Sequence, residues 1–297
     1  MTKILDGKVV NEKIAEQLRT EIAKRGTRPK LVIIQVGDVP ESNAYIGRKK
    51  AFGQKIGAEV KLKRFPETIS QKELVGQIIV YNRDPQYHGI IVQMPIPKSL
   101  DKDQIIDSIS PQKDVDGLTS INLKLLWENR KEGHIPATTK GILTLLDYYK
   151  IPIAGKHVVV VGRSFLVGKP TALAFLNRDA TVTITHSKSK NLPSITKTAD
   201  ILVVATGKAK LISRNHVSSG QVVVDVRINV INDKPSFAKA TDGKPETEPI
   251  GRKLVGDVDF DTVKNIVAAI SPVPGGVGPM TVASLFENLL ETYKSQT

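Results

Sequence analysis

The chain has no cysteine among its 297 residues, which excludes a disulfide framework, a zinc–thiolate centre and any thiol nucleophile. Histidine is scarce as well. Five are scattered without short pairing, so no histidine metal cluster is expected. Aromatic residues make up only 5% of the chain, too few to build a stacking surface for nucleic acid. No uncharged run approaches the roughly 20 residues that span a bilayer, and the opening Met-Thr-Lys-Ile-Leu-Asp-Gly-Lys has no apolar signal core. A cytoplasmic protein with neither a membrane nor a nucleic-acid partner is expected.

Positive charge is abundant, with 43 lysines and arginines against 30 acidic residues. The cations are spread along the chain, which solubilises a surface and favours small polyanions such as phosphates and polycarboxylates. The length suits two domains of about 150 residues each, and 40% hydrophobic content is enough to give each a core.

The stretch from His157 to Pro170 organises the rest. Four consecutive valines, Val158 to Val161, are β-branched and precede a glycine, which predicts a buried parallel strand. Gly162 opens a tight turn, Gly168 lets a helix pack close to the sheet, and Pro170 suits a helix start. Such a turn presents backbone N–H groups to a phosphate. Ser164 stands where the second glycine of a G-x-G-x-x-G pattern would be, so an ordinary strand-to-helix turn remains an alternative reading at this point.

On either side, strand and helix patterns alternate. An amphipathic helix is predicted over 9–24, a strand over 31–36, a helix capped by Ser42, a strand over 60–65 and a helix over 71–82 with Leu74, Ile78 and Ile79 inward. Further strands are predicted over 181–185, ending at His186-Ser187, over 201–205, ending at Thr206-Gly207, and over 221–226. Strands with helical connections imply α/β architecture and a doubly wound parallel sheet. Residues 232–249, with three prolines and a glycine among charges, read as a flexible loop.

Several side chains stand out. Tyr45 and Lys49 are four apart and share a helix face. Gln93 ends an apolar strand just before Met94-Pro95, at the edge where open α/β sheets hold ligands. Asp114 and Asp116 lie in one loop, where a carboxylate can bond its own backbone or accept two parallel N–H bonds from an amino-pyrimidine edge. Spacing does not choose between them. In the tail, three glycines and three prolines between Pro272 and Pro279 constrain the backbone before a helical run. They predict a loop that lines a ligand.

Three motifs in this order, Lys113-Asp-Val-Asp-Gly, Val161-Gly-Arg-Ser-x-x-Val-Gly-x-Pro and Pro272-Val-Pro-Gly-Gly-Val-Gly-Pro-Met-Thr-Val-Ala, resemble the bifunctional methylenetetrahydrofolate dehydrogenase/cyclohydrolase family over nearly the whole chain. The resemblance implies a folate-binding catalytic domain of residues 1–136, joined by a returning C-terminal helical segment 277–297, and a Rossmann-type NADP domain of residues 137–276. It implies a homodimer acting on tetrahydrofolate derivatives, polyglutamylated forms included. The implied reactions are NADP-dependent oxidation of 5,10-methylenetetrahydrofolate and hydrolysis of the methenyl product to 10-formyltetrahydrofolate. Carried over by motif, the catalytic residues are Lys49, Tyr45 and Gln93, and the substrate contacts are Tyr45, Asp116, Gly275, Gly276 and Pro279. The cofactor contacts are Gly162, Arg163, Ser164, Val167, Gly168, His186, Ser187, Thr206, Gly207 and Ile228. The sequence departs from the family pattern at Arg227, where a glycine is usual, at Ala51, and at Ala137 and Thr139. A dehydrogenase-only member and an inactive nucleotide-sensing or RNA-binding module are the competing readings.

Overall fold

The structure, a computed structural model, describes residues 2–232 and 252–296. The expected 232–249 loop lies, apart from Asn232, outside the described residues. The first half runs β1 (Lys3–Ile4), α1 (Gly7–Ala23), β2 (Lys30–Val36), α2 (Pro40–Ile56), β3 (Glu59–Phe65), α3 (Gln71–Arg83), β4 (Gly89–Val92), α4 (Lys102–Asp107) and α5 (Ser120–Trp127). Helix α6 (Ala137–Tyr148) leads into β5 (His157–Val161), α7 (Gly168–Leu176), β6 (Thr181–Thr185), α8 (Leu192–Thr196), β7 (Ile201–Val204) and β8 (Val222–Asp225). Then come β9 (Asn229–Asn232), β10 (Arg252–Val255), α9 (Phe260–Val263), β11 (Ala269–Ile270) and α10 (Val277–Gln296).

Two parallel sheets result. The smaller has the order β3-β2-β4, and the larger β1-β11-β8-β7-β5-β6. In the larger sheet β5 pairs with β6 on one side and β7 on the other. The connections therefore reverse direction at β5, and a crevice opens beyond the carboxyl ends of β5 and β7. The valines of β5 are fully buried on both faces, which is why they read as an unbroken apolar run rather than an alternating one. The architecture is two-domain α/β, and α10 returns from the second domain to pack chiefly on α6 and α1. Phe286 and Tyr293 of α10 are buried in the core shared by these helices and both sheets.

One pairing was not anticipated, and three local expectations need correction. Lys3–Ile4 pairs with Ala269–Ile270, so the first strand of the chain completes the larger sheet although it lies within the 1–136 segment. Helix α2 starts at Pro40 with Val39 as a cap whose side chain makes no hydrogen bond; proline favours the first helical position, and the Ser42 hydroxyl instead donates to the Met94 carbonyl at 3.2 Å. On α3 the inward set is Leu74, Ile78 and Tyr81, while Ile79 is exposed. Helix α10 begins at Val277, so Gly278 and Pro279 belong to its first turn rather than to a loop. Among the described residues no helix is long and apolar enough to cross a membrane.

Candidate active site

Strand β4 delivers Gln93 to the carboxyl edge of the smaller sheet, where the Gln93 N–H still donates to the Ile34 carbonyl at 2.8 Å. The Gln93 side-chain amide donates to the Met94 carbonyl at 2.9 Å, which turns its Oε1 outward as an acceptor. Lys49 Nζ donates to that oxygen at 3.0 Å. Tyr45 lies one turn earlier on α2, about one-third exposed, with the Arg48 guanidinium 5.6 Å from its ring centre. Lys49 is buried. Burial pushes its ammonium below the usual lysine value, and the negative charge of Asp116 opposes that shift. Burial likewise raises the Asp116 carboxyl, Lys49 pulls it down, and the nearby Asp114 raises it further.

The two loop carboxylates have divided tasks. Asp114 is buried and accepts from the N–H groups of Gly117 at 2.9 Å and Thr119 at 2.7 Å and from Asn122 Nδ2 at 2.9 Å. Those bonds shape the loop and the start of α5. Asp116 instead lines a cavity of about 300 Å³ together with Tyr45, Lys49 and Gln93. From the second domain Val167, Arg227 and Ile228 line the same cavity, and α10 supplies Gly278, Thr281 and Val282. The Lys102 ammonium sits 4.6 Å from the Phe165 ring centre, a contact between the two halves.

Gly275, Gly276 and Pro279 are not among the residues lining this cavity; they turn toward α1. The Gly7 N–H donates to the Gly275 carbonyl at 2.9 Å, and Asn11 Nδ2 to the Pro279 carbonyl at 2.8 Å. A Cβ at Gly7 would sit 1.9 Å from the Gly276 carbonyl oxygen, so these glycines serve a close backbone crossing. Leu118, Thr138, Leu166 and Thr281 line the cavity without having been singled out from sequence. Thr281 falls inside the quoted tail motif and Thr138 between the departures at Ala137 and Thr139, but the two leucines gave no signal, because an apolar ligand wall and an apolar core read alike.

A second cleft of about 480 Å³ opens at the switch point of the larger sheet, lined by Gly162, Arg163, Ser164, His186, Ser187 and Thr206, with Lys208 added. Gly162 has φ +130°, and a Cβ there would lie 2.3 Å from the Ala205 carbonyl oxygen; one at Gly168 would lie 2.3 Å from the Gly162 carbonyl oxygen. Only glycine permits this approach of turn, helix and strand. Ser164 Oγ accepts from the N–H groups of Val167 and Gly168, both at 3.3 Å, so two of the donors expected to face a phosphate are taken by the hydroxyl that replaces the second glycine. Arg163 and Lys208 are exposed, and no carboxylate lines the cleft among the described residues. A cleft of this size, with two cations and a glycine-tight floor, fits a dinucleotide phosphate. Gly207, at φ +70°, lies just beyond, with Arg227 Nε 3.8 Å from where its Cβ would be. Arg227 therefore stands between the cleft and the cavity.

Fold and site together define a two-domain α/β nucleotide-binding protein whose second ligand site lies where the domains meet. The chain belongs to the tetrahydrofolate dehydrogenase/cyclohydrolase family: residues 5–116 match the model of its catalytic domain and residues 136–297 that of its NAD(P)-binding domain. It is 44% identical to the bifunctional protein FolD of Lactobacillus gasseri over 100% of this chain and 99% of that one. The crystal structure of the bifunctional FolD methylenetetrahydrofolate dehydrogenase/cyclohydrolase from Campylobacter jejuni superposes with a TM-score of 0.91 at 38% identity, covering 100% of both chains. The Trypanosoma brucei methylenetetrahydrofolate dehydrogenase-cyclohydrolase, complexed with NADP and an inhibitor, gives 0.90 at 32% identity, covering 99% of this chain and 98% of that one.

Proposed function

We propose that this protein works as a cytoplasmic homodimer in which one cavity serves two reactions of one-carbon metabolism. The first is oxidation of 5,10-methylenetetrahydrofolate with NADP, and the second is hydrolysis of the 5,10-methenyl product to 10-formyltetrahydrofolate. Residues 1–136 with 277–297 carry the folate, and residues 137–276 the nucleotide. The observation that carries this reading is the convergence of Tyr45, Lys49, Gln93 and Asp116 on a cavity completed by Val167 and Ile228 of the nucleotide domain.

The nucleotide, when bound, supplies the hydride acceptor for the first reaction. Gly162, Arg163, Ser164, His186, Ser187 and Thr206 hold it in the larger-sheet cleft. Asp116 accepts N–H bonds from the amino-pyrimidine edge of the pterin, and Tyr45 offers its partly exposed ring as a flat contact. Alignment of two planar ligands is a positioning task, and rigid elements on both sides of the cavity provide it. Hydrolysis asks for more. Water must lose a proton as it adds to the methenyl carbon, and ring opening needs a proton at the departing nitrogen. Lys49, held in one orientation by Gln93 Oε1 and lowered in pKa by burial, is placed to take and return that proton.

Homodimer formation is supported by the open edge of β6, which among the described residues pairs only with β5. Ile184 on that strand is 43% exposed and Leu176 on the preceding helix 56% exposed, an apolar edge that a second copy would cover. The functional test is to mix the protein with methylenetetrahydrofolate and NADP and to follow NADPH and methenyl-folate absorbance. NADPH without accumulating methenyl-folate is expected. Accumulation of methenyl-folate would leave the dehydrogenase alone, and no NADPH would refute the reading.

A further inference from the structure

The residues that line the cleft and the cavity account for contacts to each ligand but not for what keeps the two ligand sites in register with one another. They are built on different loops. Thr206 follows β7 and lines the nucleotide cleft, with Gly207 next to it in the chain, whereas Val226, Arg227 and Ile228 follow β8 and line the folate cavity. Both loops end on one side chain. Asp257 is fully buried. Its Oδ2 accepts from the N–H groups of Thr206 at 2.6 Å and Gly207 at 2.9 Å, and its Oδ1 accepts from Asn229 Nδ2 at 2.8 Å. A carboxylate is the one small side chain that offers acceptors alone on two divergent oxygens, which is what three converging donors require.

Asp257 is itself held from below. Its N–H donates to Asp225 Oδ1 at 3.0 Å and the Val258 N–H to Asp225 Oδ2 at 2.9 Å. The Asp225 N–H in turn donates to Ser271 Oγ at 2.8 Å. The approach at Gly256 is so close that a Cβ there would lie 1.8 Å from Asp225 Oδ2. Asp257 is thus fixed to the carboxyl end of β8 and cannot drift with either loop.

We propose that Asp257, through Asn229, is a positioning residue for hydride transfer: it locks the nucleotide-binding turn to the segment that forms the second-domain side of the folate cavity. The proposal rests on the dehydrogenase and cyclohydrolase reading above. Hydrolysis of preformed methenyl-folate uses no nucleotide and draws its chemistry from Lys49 and Gln93 in the other domain. The two activities of one protein therefore report separately on the lock and on the fold.

The experiment compares the unmodified protein with Asp257→Ala, Asn229→Ala and Asp257→Asn. NADP affinity is measured by titration calorimetry, dehydrogenase activity as kcat and KM for NADP, and cyclohydrolase activity on methenyl-folate without nucleotide. Asp257→Ala should weaken NADP binding and raise its KM on the order of tenfold or more, the size expected for lost charge-assisted bonds. Asn229→Ala should lower dehydrogenase kcat more than it weakens NADP binding, since the turn keeps its two bonds. Both should keep cyclohydrolase activity within about twofold, well inside the loss of one such bond. In Asp257→Asn one oxygen still accepts both backbone N–H groups, and Asn229 can flip its amide to meet the new NH₂, so all three bonds and near-normal dehydrogenase activity return. Equal loss of both activities in Asn229→Ala, or unchanged dehydrogenase kinetics in it, overturns the proposal even if Asp257→Ala fails to fold. An unmodified protein lacking either activity would refute the underlying reading instead, and the calorimetric arm would still show whether Asp257 shapes the nucleotide site.

Discussion

Lys49 Nζ donates a hydrogen bond to Gln93 Oε1 at 3.0 Å, although the two residues are 44 apart in the chain. Gln93 has no freedom to reverse its amide, because its NH₂ is engaged by the Met94 carbonyl. A neutral Lys49 amine that spends one hydrogen on Gln93 can therefore direct its lone pair into the cavity. Lys49→Met keeps most of the stem but removes the donors and the charge. Cyclohydrolase activity should fall on the order of 10²-fold, as for a lost general acid/base, while dehydrogenase activity persists and methenyl-folate accumulates. Near-normal hydrolysis by this variant would remove Lys49 from the mechanism.

The same lysine should set a pH limb. Burial favours its neutral form, so the pKa lies below the lysine value of 10.5. Since the neutral amine is the proton acceptor, cyclohydrolase kcat/KM should rise with pH through that lowered pKa and level off above it, and the limb should vanish in Lys49→Met. A limb that persists unchanged in the variant would assign it to another group.

Asp116 and Asp114 should separate binding from folding. Asp116→Ala should raise KM for methylenetetrahydrofolate and lower both activities with little change in Tm, because it removes a ligand anchor. Asp114→Ala removes three buried hydrogen bonds; the Gly117 N–H keeps the Asp114 backbone carbonyl and Asn122 Nδ2 keeps the Pro111 carbonyl, but the Thr119 N–H is left without an acceptor at about 1–3 kcal/mol, so the chief effect should be a drop in Tm. Thermal melts and steady-state kinetics on both variants decide the matter.

Arg163 should choose between nucleotides. It is exposed at the carboxyl end of β5, where a guanidinium can pair with a 2′-phosphate, and the strand after it ends at His186-Ser187 without the acid that would bind a free 2′-hydroxyl. Arg163→Ala should weaken NADP roughly ten- to a hundredfold, the range of a lost charged hydrogen bond, and leave NAD nearly unchanged. Arg227→Gly should leave NADP binding intact or slightly weaker, whereas a large gain would mean that Arg227 obstructs the cleft. Parallel binding titrations with the two nucleotides measure both effects.

Asp225 gives stability a pH dependence of unusual sign. Burial pushes its carboxyl from 3.8 up to about 7, so between those values the folded chain keeps a proton that the unfolded chain has released. Its contribution to stability is therefore complete below about pH 4 and is lost as pH rises to about 7, by roughly 4 kcal/mol at 1.36 kcal/mol per pKa unit. Asp225→Asn cannot ionise and sets an amide against the N–H of Asp257 or Val258, so it should be less stable throughout. The gap to the unmodified protein should narrow from pH 4 to pH 7 in denaturant titrations. A constant gap would show that Asp225 is not raised.

Much of this molecule could be read from local pattern. The valine run of β5, the Gly162 turn and the strand-helix alternation have a short-range cause, since β-branching, glycine's backbone freedom and helical spacing all act within a few residues. For the same reason Tyr45 and Lys49 were legible as a pair on one helix face. The sequence could not say which carboxylate of the Asp114–Asp116 pair faces the cavity, because that depends on Asn122 and Thr119 closing around Asp114 once α5 is formed. Nor could it place Gly275 and Gly276 against α1, or carry Lys3–Ile4 across to β11, since those pairings join chain ends more than 260 residues apart. Asp257 drew no attention in the sequence, where it is one acid among many in a charged region. Only the tertiary structure brought three donors from two loops onto its two oxygens, and the burial of Asp257 is what makes those bonds matter.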